Sequence, residues 1–298
     1  MSHVPVLLQE VIETLDPKPG QIILDGTIGF AGHGGVIADK LGSTGIYIGL
    51  DRDQKTLTQA RLNLEGVDAK VLLLEGNYRY LDEILSEQDI SSIDGFLLDL
   101  GFNSDQLVNS GRGFSFQQDE PLIMTYESEI TDRSLTARDI VNHYSEKDIA
   151  DILYNYGEES FSRQIAKKIL TSRLRAPIET TGQLVEIILA SVPLWYQKRR
   201  IHPATKTFQA LRIAVNDELG ALEEGLTTSW QYLNLNGKIA IITFHSLEAK
   251  IVKNFFKNKK SEGLGELINK KVIKPKYEES KINPRARSAQ LRVIKKIK

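Results

Sequence analysis

Three acids each close an apolar run: Asp25 follows Ile22-Ile23-Leu24, Asp51 follows Ile46-Tyr47-Ile48-Gly49-Leu50, and Asp99 follows Gly95-Phe96-Leu97-Leu98. Asp25 opens a glycine-rich stretch, Gly26-Thr27-Ile28-Gly29-Phe30-Ala31-Gly32-His33-Gly34-Gly35. A strand, a glycine-rich turn, a helix and a second strand capped by an acid form the first half of a nucleotide-binding α/β fold. Glycines such as Gly29 and Gly32 let backbone approach a ligand that a Cβ would hold away. Asp51 is placed to accept both hydroxyls of a ribose. Dinucleotide sites show G-x-G-x-x-G, with a pyrophosphate on the helix N-terminus. Here the order is Asp-Gly-Thr-x-Gly-x-x-Gly-His, and Asp25 would repel a pyrophosphate. An acid there suits a ligand with a cationic end, such as the sulfonium and ammonium of S-adenosyl-L-methionine.

Asp99 leads into Leu100-Gly101-Phe102-Asn103-Ser104. Enzymes that methylate exocyclic amines often carry Asp/Asn-x-Pro-aromatic at this place; here the acid and the aromatic are present and the proline is not. A carboxylate accepting the amine protons localises the nitrogen lone pair toward the methyl group, and in-line placement supplies most of the acceleration. Asp99, Phe102 and His245 are therefore the candidate catalytic residues. Phe102 either stacks on the base or packs in the core. His245, ending the run Gly237 to Phe244, either hydrogen-bonds the base or its proton, or sits neutral at the core edge. Tyr78, after the third apolar run, is positioned to pack on an adenine. No metal is expected, because displacement at an activated methyl needs no Lewis acid.

The elements that must hold these groups alternate for the first hundred residues. Strands are expected over 21–25, 45–50, 69–75 and 94–99, and helices over 33–41, 53–64 and 78–87, the pattern of a parallel sheet being wound. From about 105 to 209 helical periodicity takes over. Helices are expected from Ser134 and from Ser145, each with a serine cap, then over 159–173 and 180–191, and one long helix from Ala204 to about Trp230. A buried strand over 237–244, a helix over 246–259 and a strand over 288–296 complete the chain, with 259–287 expected as a loop or mobile segment. The expected organisation is a discontinuous cofactor-binding domain, 1–104 with 210–298, interrupted by a helical insertion, 105–209, that emerges beside the ligand crevice.

Charge and composition bound the partners. The chain of 298 residues carries a net charge of −1 and no cysteine, which excludes disulfides, zinc–thiolate sites and a cysteine nucleophile. Lys250 to Lys298 holds 16 basic and 4 acidic residues, so roughly +12 lies there and about −13 elsewhere. Lys198, Arg199, Arg200, Lys206 and Arg212 fall within 15 residues beside His202 and Phe208, a composition that suits RNA phosphates. Arg112-Gly113-Phe114-Ser115-Phe116 pairs a base with aromatics and suits an RNA loop or a packing turn. Met1 to Pro5 shows no basic start before an apolar run, and no run approaches the roughly 20 residues that span a bilayer, so no leader and no membrane segment are expected. A reducing cytoplasm is the default location.

Taken in order, the segments His3 to Leu8, Asp25 to His33, Asp99-Leu100-Gly101, Arg112 to Phe116, Tyr156-Gly157-Glu158-Glu159, His202 to Arg212, Phe244-His245-Ser246-Leu247-Glu248 and Asn283-Pro284-Arg285-Ala286-Arg287-Ser288 resemble the RsmH (MraW) family. These bacterial enzymes methylate N4 of a cytidine in the decoding region of 16S ribosomal RNA. The resemblance implies a class I methyltransferase fold, a Rossmann-like doubly wound sheet with an inserted all-helical domain. It implies S-adenosyl-L-methionine bound through Ala31, Gly32 and His33, then Asp51, Tyr78, Asp99 and Gln106. It implies 16S ribosomal RNA, within the small subunit, as partner, with Arg285 and Arg287 joining the basic residues above, and a monomer or homodimer. The chain departs from the family at Ala31 (usually glycine), at Phe102-Asn103-Ser104 (Val-Ser-Ser), at Ile123 and Thr125 (Asp and Arg) and at Ser160 (Arg). Two other readings stay open: methylation of another nucleic-acid or protein amine, and a non-catalytic RNA-binding assembly factor.

Overall fold

The computed structural model describes residues 5–100, 110–127, 129–132 and 134–298, the side chain of Arg285 excepted. Seven strands form one sheet: β1 (Ile22–Asp25), β2 (Ile46–Asp51), β3 (Lys70–Glu75), β4 (Ile93–Asp99), β5 (Leu233–Thr243), β6 (Gly265–Leu267) and β7 (Gln290–Lys296). Their order is β3-β2-β1-β4-β5-β7-β6. The first five run parallel, and β7 and β6 are antiparallel to their neighbours. The order reverses between β1 and β4, which creates a crevice at the carboxyl ends of those strands.

A parallel sheet is covered on both faces, so its strands read as continuous aliphatic runs. One face, carrying Ile23, Tyr47, Leu97 and Ala240, packs on α1 (Leu8–Leu15), α2 (Gly32–Leu41) and α3 (Gln54–Asn63). The other, carrying Leu24, Ile48, Phe96, Leu98 and Ile241, packs on α4 (Leu81–Glu87) and on two later helices that bring Leu222, Leu226, Val252 and Phe256. This is the doubly wound sheet expected from the sequence. The chain divides into two compact units, Met1–Gly101 with Leu219–Lys298, and Phe102–Glu218.

The second unit is helical in its described residues. It comprises α5 (Ala137–His143), α6 (Glu146–Gly157), α7 (Ser162–Arg173), α8 (Thr181–Leu189), α9 (Leu194–Gln197) and α10 (Ala204–Asn216). Ile140, Leu153, Ile165, Leu184 and Leu211 are among the fully buried residues of its core. Thr136, Ser145 and Thr180 cap α5, α6 and α8, and Thr136 and Thr180 do so in reciprocal capping boxes.

The two helices that cover the second sheet face are α11 (Glu218–Tyr232) and α12 (Ser246–Ser261), and a last short helix, α13, spans Tyr277–Ile282. Four expectations change, the first being that α5 begins at Ala137 with Thr136 as its cap and not at Ser134. The long helix from Ala204 breaks at Asp217, whose left-handed φ of 44° ends α10 before α11 begins. The helix expected from 159 begins at Ser162, because the Glu159 carboxylate accepts from the Phe161 amide and occupies the turn before it. The segment 259–287 is ordered: it holds the end of α12, β6 and α13. The antiparallel β7 would otherwise leave an open edge, and β6 pairs with it. The sequence also hides α1, whose Val11 and Leu15 sit one turn apart on a buried face. No helix among the described residues is long and apolar enough to cross a membrane.

The turn from β1 into α2 carries backbone strain. Ala31, which caps α2, has φ 60°, a region that costs an L-residue with a Cβ roughly 1 kcal/mol. Ala31→Gly relieves that strain but loosens the unfolded chain and deletes a buried methyl, so unfolding stability in urea titration should change by less than about 1 kcal/mol. A loss above about 1.5 kcal/mol, the cost of those two effects with no strain relieved, would contradict the strain.

Candidate active site

Strand register brings the three acids together. Asp25 pairs with Gly49 of β2 on one side and with Leu97 of β4 on the other. Two residues further along those neighbours come Asp51 and Asp99, so the three acids close three adjacent parallel strands around the crevice.

Asp25 faces inward. It is only 2% exposed, accepts from the Tyr47 hydroxyl at 2.9 Å and from the Thr27 amide at 3.0 Å, and burial pushes its carboxyl up to about 6. The structure places Asp25 inside the protein rather than on the crevice surface, and there it organises the loop. Gly34 of α2 makes this possible, because a Cβ there would collide with the Tyr47 hydroxyl. Thr27 continues the network, since its hydroxyl accepts from the Asp99 amide at 2.7 Å. Neither Thr27 nor Tyr47 stood out in the sequence. The available signal was a tyrosine in an otherwise aliphatic strand, which needs a partner for its hydroxyl.

Asp51 is half-buried at the end of β2. It accepts from the amides of Gly29 (3.2 Å) and Asp53 (3.0 Å), and burial pushes it up to about 6. An ionised carboxylate has about four lone-pair sites, so capacity remains for a hydroxyl donor. Gly29 adopts φ 53°, and Gly32 lies so close to Pro5 that a Cβ would come within 2.5 Å of the proline Cγ. These residues form a cradle of bare backbone beside Asp51, which fits an adenosine-bearing cofactor.

His33 is buried and donates from Nε2 to the Val6 carbonyl at 2.9 Å. Burial lowers its pKa, opposed by Asp25 and by the Val6 bond, so the ring is neutral with its proton on Nε2. Its Nδ1 then lies 4.0 Å from Asp99 Oδ2, and the Asp99 side chain is 17% exposed at the crevice. Tyr78 opens a 3₁₀ turn after β3, where its ring packs against α11: a Cβ on Gly225 would come 2.6 Å from its Cδ2. The Leu7 amide donates to Glu279 of α13 at 2.8 Å, which ties the N-terminal segment over Gly32 to the C-terminal part of the chain.

His245 takes the bland role. It caps α12: its Nδ1 accepts from the Glu248 amide at 3.4 Å, and Glu248 returns a bond to the His245 amide. Its Nε2 lies 3.0 Å from Glu248 Oε1 in poor alignment for a hydrogen bond. Phe102 and Gln106 lie outside the described residues.

The basic candidates also divide. Arg112 donates to the carbonyls of Thr125 and Glu127, Lys206 to that of Glu158, and Arg212 forms a two-pronged pair with Glu218 at 2.7 and 2.8 Å. Those three brace the helical unit. Lys198, Arg199, Arg200 and Arg287 are exposed, and Arg285 has its backbone in a short 3₁₀ turn.

Residues 1–297 match the model of the MraW methylase family. The chain is 43% identical over 311 residues to ribosomal RNA small subunit methyltransferase H of Heliobacterium mobile, covering 99% of each. It is 46% identical over 292 residues to that of Dictyoglomus thermophilum, covering 98% of this chain and 95% of the relative. It is 44% identical to that of Mycoplasma mycoides subsp. mycoides, covering 99% of each.

The Asp25 network makes a prediction of its own. Tyr47→Phe removes one partner of a buried carboxylate and should cost about 1–3 kcal/mol in denaturant unfolding at neutral pH. The loss should shrink as pH falls through about 6, where folded Asp25 takes up a proton and the hydroxyl no longer bonds a charged carboxylate. A pH-independent cost would contradict the bond.

Proposed function

The chain belongs to the MraW methylase family, and on that footing we propose that it transfers a methyl group from S-adenosyl-L-methionine to N4 of a cytidine in the decoding region of 16S ribosomal RNA. The observation that carries this reading is the convergence of Asp51 and Asp99 on either side of Asp25, beside a backbone cradle. The cofactor supplies a methyl group already activated by a sulfonium. The protein's own residues then have to bind, orient and accept protons.

Asp51 anchors the ribose hydroxyls with the lone-pair capacity its amide partners leave. The Gly29–Gly32 turn admits the methionine end, and Tyr78 flanks the adenine. Asp99 accepts a hydrogen bond from the exocyclic amine and turns its lone pair toward the methyl group. His33, neutral and fixed by its bond to the Val6 carbonyl, shapes the wall of the crevice beside Asp99. Residues 105–209 serve as the RNA-substrate domain, with Lys198, Arg199 and Arg200 as phosphate contacts joined by Arg287. The reaction takes place in the cytoplasm, on RNA of the small subunit.

Nucleoside mass spectrometry of 16S ribosomal RNA from a strain lacking the gene should show loss of the N4-methylated cytidine; a retained mark would overturn the site. Asp99→Ala should lower turnover by at least about 100-fold while leaving cofactor affinity within a few-fold, measured by methyl transfer and by calorimetry. Wild-type turnover would remove Asp99 from its role.

The cofactor should also bind in a pH-dependent way. Hydroxyl donors need Asp51 ionised, and its folded pKa is raised to about 6. Affinity should be level above about pH 7 and should fall about tenfold per unit well below 6. Asp51→Asn should bind weakly throughout and lose that slope. A wild-type dissociation constant unchanged between pH 7.5 and 5 would contradict the assignment.

A further inference from the structure

The helical unit displays a tryptophan that its core does not use. The chain has two tryptophans. Trp230 is 7% exposed in the core of the other unit, whereas Trp195 of α9 is 57% exposed. Leaving so large a ring in water forfeits much of the hydrophobic gain that burial brings.

Trp195 is exposed but held. Its ring meets Phe161 at 5.9 Å and Tyr196 at 5.8 Å, both edge-on. Tyr196 is fixed in turn by its hydroxyl bond, 2.7 Å, to the fully buried Glu159, which also accepts from the Phe161 amide. The surface ring therefore stands on a base anchored by a buried carboxylate, and its ordering is already in place before any ligand arrives.

The surroundings are cationic. The Arg199 guanidinium lies 4.9 Å from the Trp195 ring centre and 4.8 Å from that of Tyr196. Lys198 and Arg200 flank it, both exposed. No acid occurs between Glu186 and Asp217, while five lysines and arginines do. A fixed exposed aromatic beside a stacked guanidinium, with further cations and no carboxylate in the segment, matches the needs of an unpaired base and its phosphates. A duplex would keep its base faces stacked inside, so the chemistry selects a single strand. A second copy of this chain meeting itself here would set like charges against each other.

We propose that Trp195 is a stacking platform for an unpaired base of the RNA substrate, with Lys198, Arg199 and Arg200 holding the adjoining phosphates. This deepens the reading that RNA is the substrate and rests on it, but the ring geometry that carries it is independent of the methyl-transfer crevice.

The test uses the full chain and a short single-stranded oligoadenylate. In Trp230→Phe, Trp195 is the sole tryptophan, and its emission should be quenched by the single strand and not by an RNA duplex of equal length. Trp195→Ala should weaken single-strand binding roughly tenfold, and Trp195→Tyr should recover most of it. S-adenosyl-L-methionine affinity should be unchanged in both. If Trp230→Phe does not fold, the affinities of the two Trp195 variants decide. Wild-type RNA affinity in Trp195→Ala would overturn this inference alone. Emission that responds to phosphatidylglycerol vesicles or to protein concentration, and not to RNA, would also overturn it. Failure of the wild-type protein to bind any RNA would overturn the substrate reading as well.

Discussion

The site depends on a carboxylate that no ligand can reach. Asp25 ends β1 in the core, where an ionised group is costly unless its oxygens are bonded. The Tyr47 hydroxyl and the Thr27 amide supply those bonds, and burial still leaves the carboxyl titrating near 6. That geometry fixes the first turn of the glycine loop. Thr27 then reaches across to the Asp99 amide, so the end of β1 and the end of β4 are joined by one side chain. Asp51 bonds the Gly29 amide from the other side. The loop is thus pinned at both flanks, and the two carboxylates left for chemistry stand on either side of a strand end that cannot move.

The helical unit uses the same principle for a different purpose. Buried Glu159 organises Tyr196 and Phe161 beneath the exposed Trp195. Asn216 bonds the Met124 carbonyl and the Tyr126 amide, and so holds the stretch in which Ile123 and Thr125 differ from the family pattern. Arg112, Lys206 and Arg212 neutralise carbonyls and a carboxylate inside the unit. Among the basic candidates of this segment, the cations left facing solvent are Lys198, Arg199 and Arg200. The charges that brace the fold are therefore separate from the charges offered to a polyanion.

Much of this was legible because it is local. Aliphatic runs of strand length, each closed by an acid, locate β1, β2 and β4. The acids then fall on one edge because parallel strands share a direction. The Ser145 cap marks its helix, whereas at the helix before it the capping side chain is Thr136 and not Ser134. What the sequence does not reveal is which of several possible partners each side chain takes. The inward turn of Asp25 depends on Tyr47, 22 residues on. The internal pairing of Arg212 depends on the helix break at Asp217, where a non-glycine residue adopts a left-handed conformation. His245 is equally compatible with a catalytic base and a helix cap until Glu248 is seen to reciprocate. The antiparallel β7, and the ordering of the lysine-rich stretch before it, arise from sheet pairing that no single segment encodes.

The central claim is that the protein presents a preformed crevice, walled by backbone and flanked by two carboxylates, for a cationic methyl donor. Calorimetric titration of the purified, folded protein with S-adenosyl-L-methionine at neutral pH addresses it most directly. Saturable binding of one donor per chain is the expected result. A protein shown by circular dichroism to be folded, yet giving no binding heat at any accessible concentration or temperature, would contradict the account.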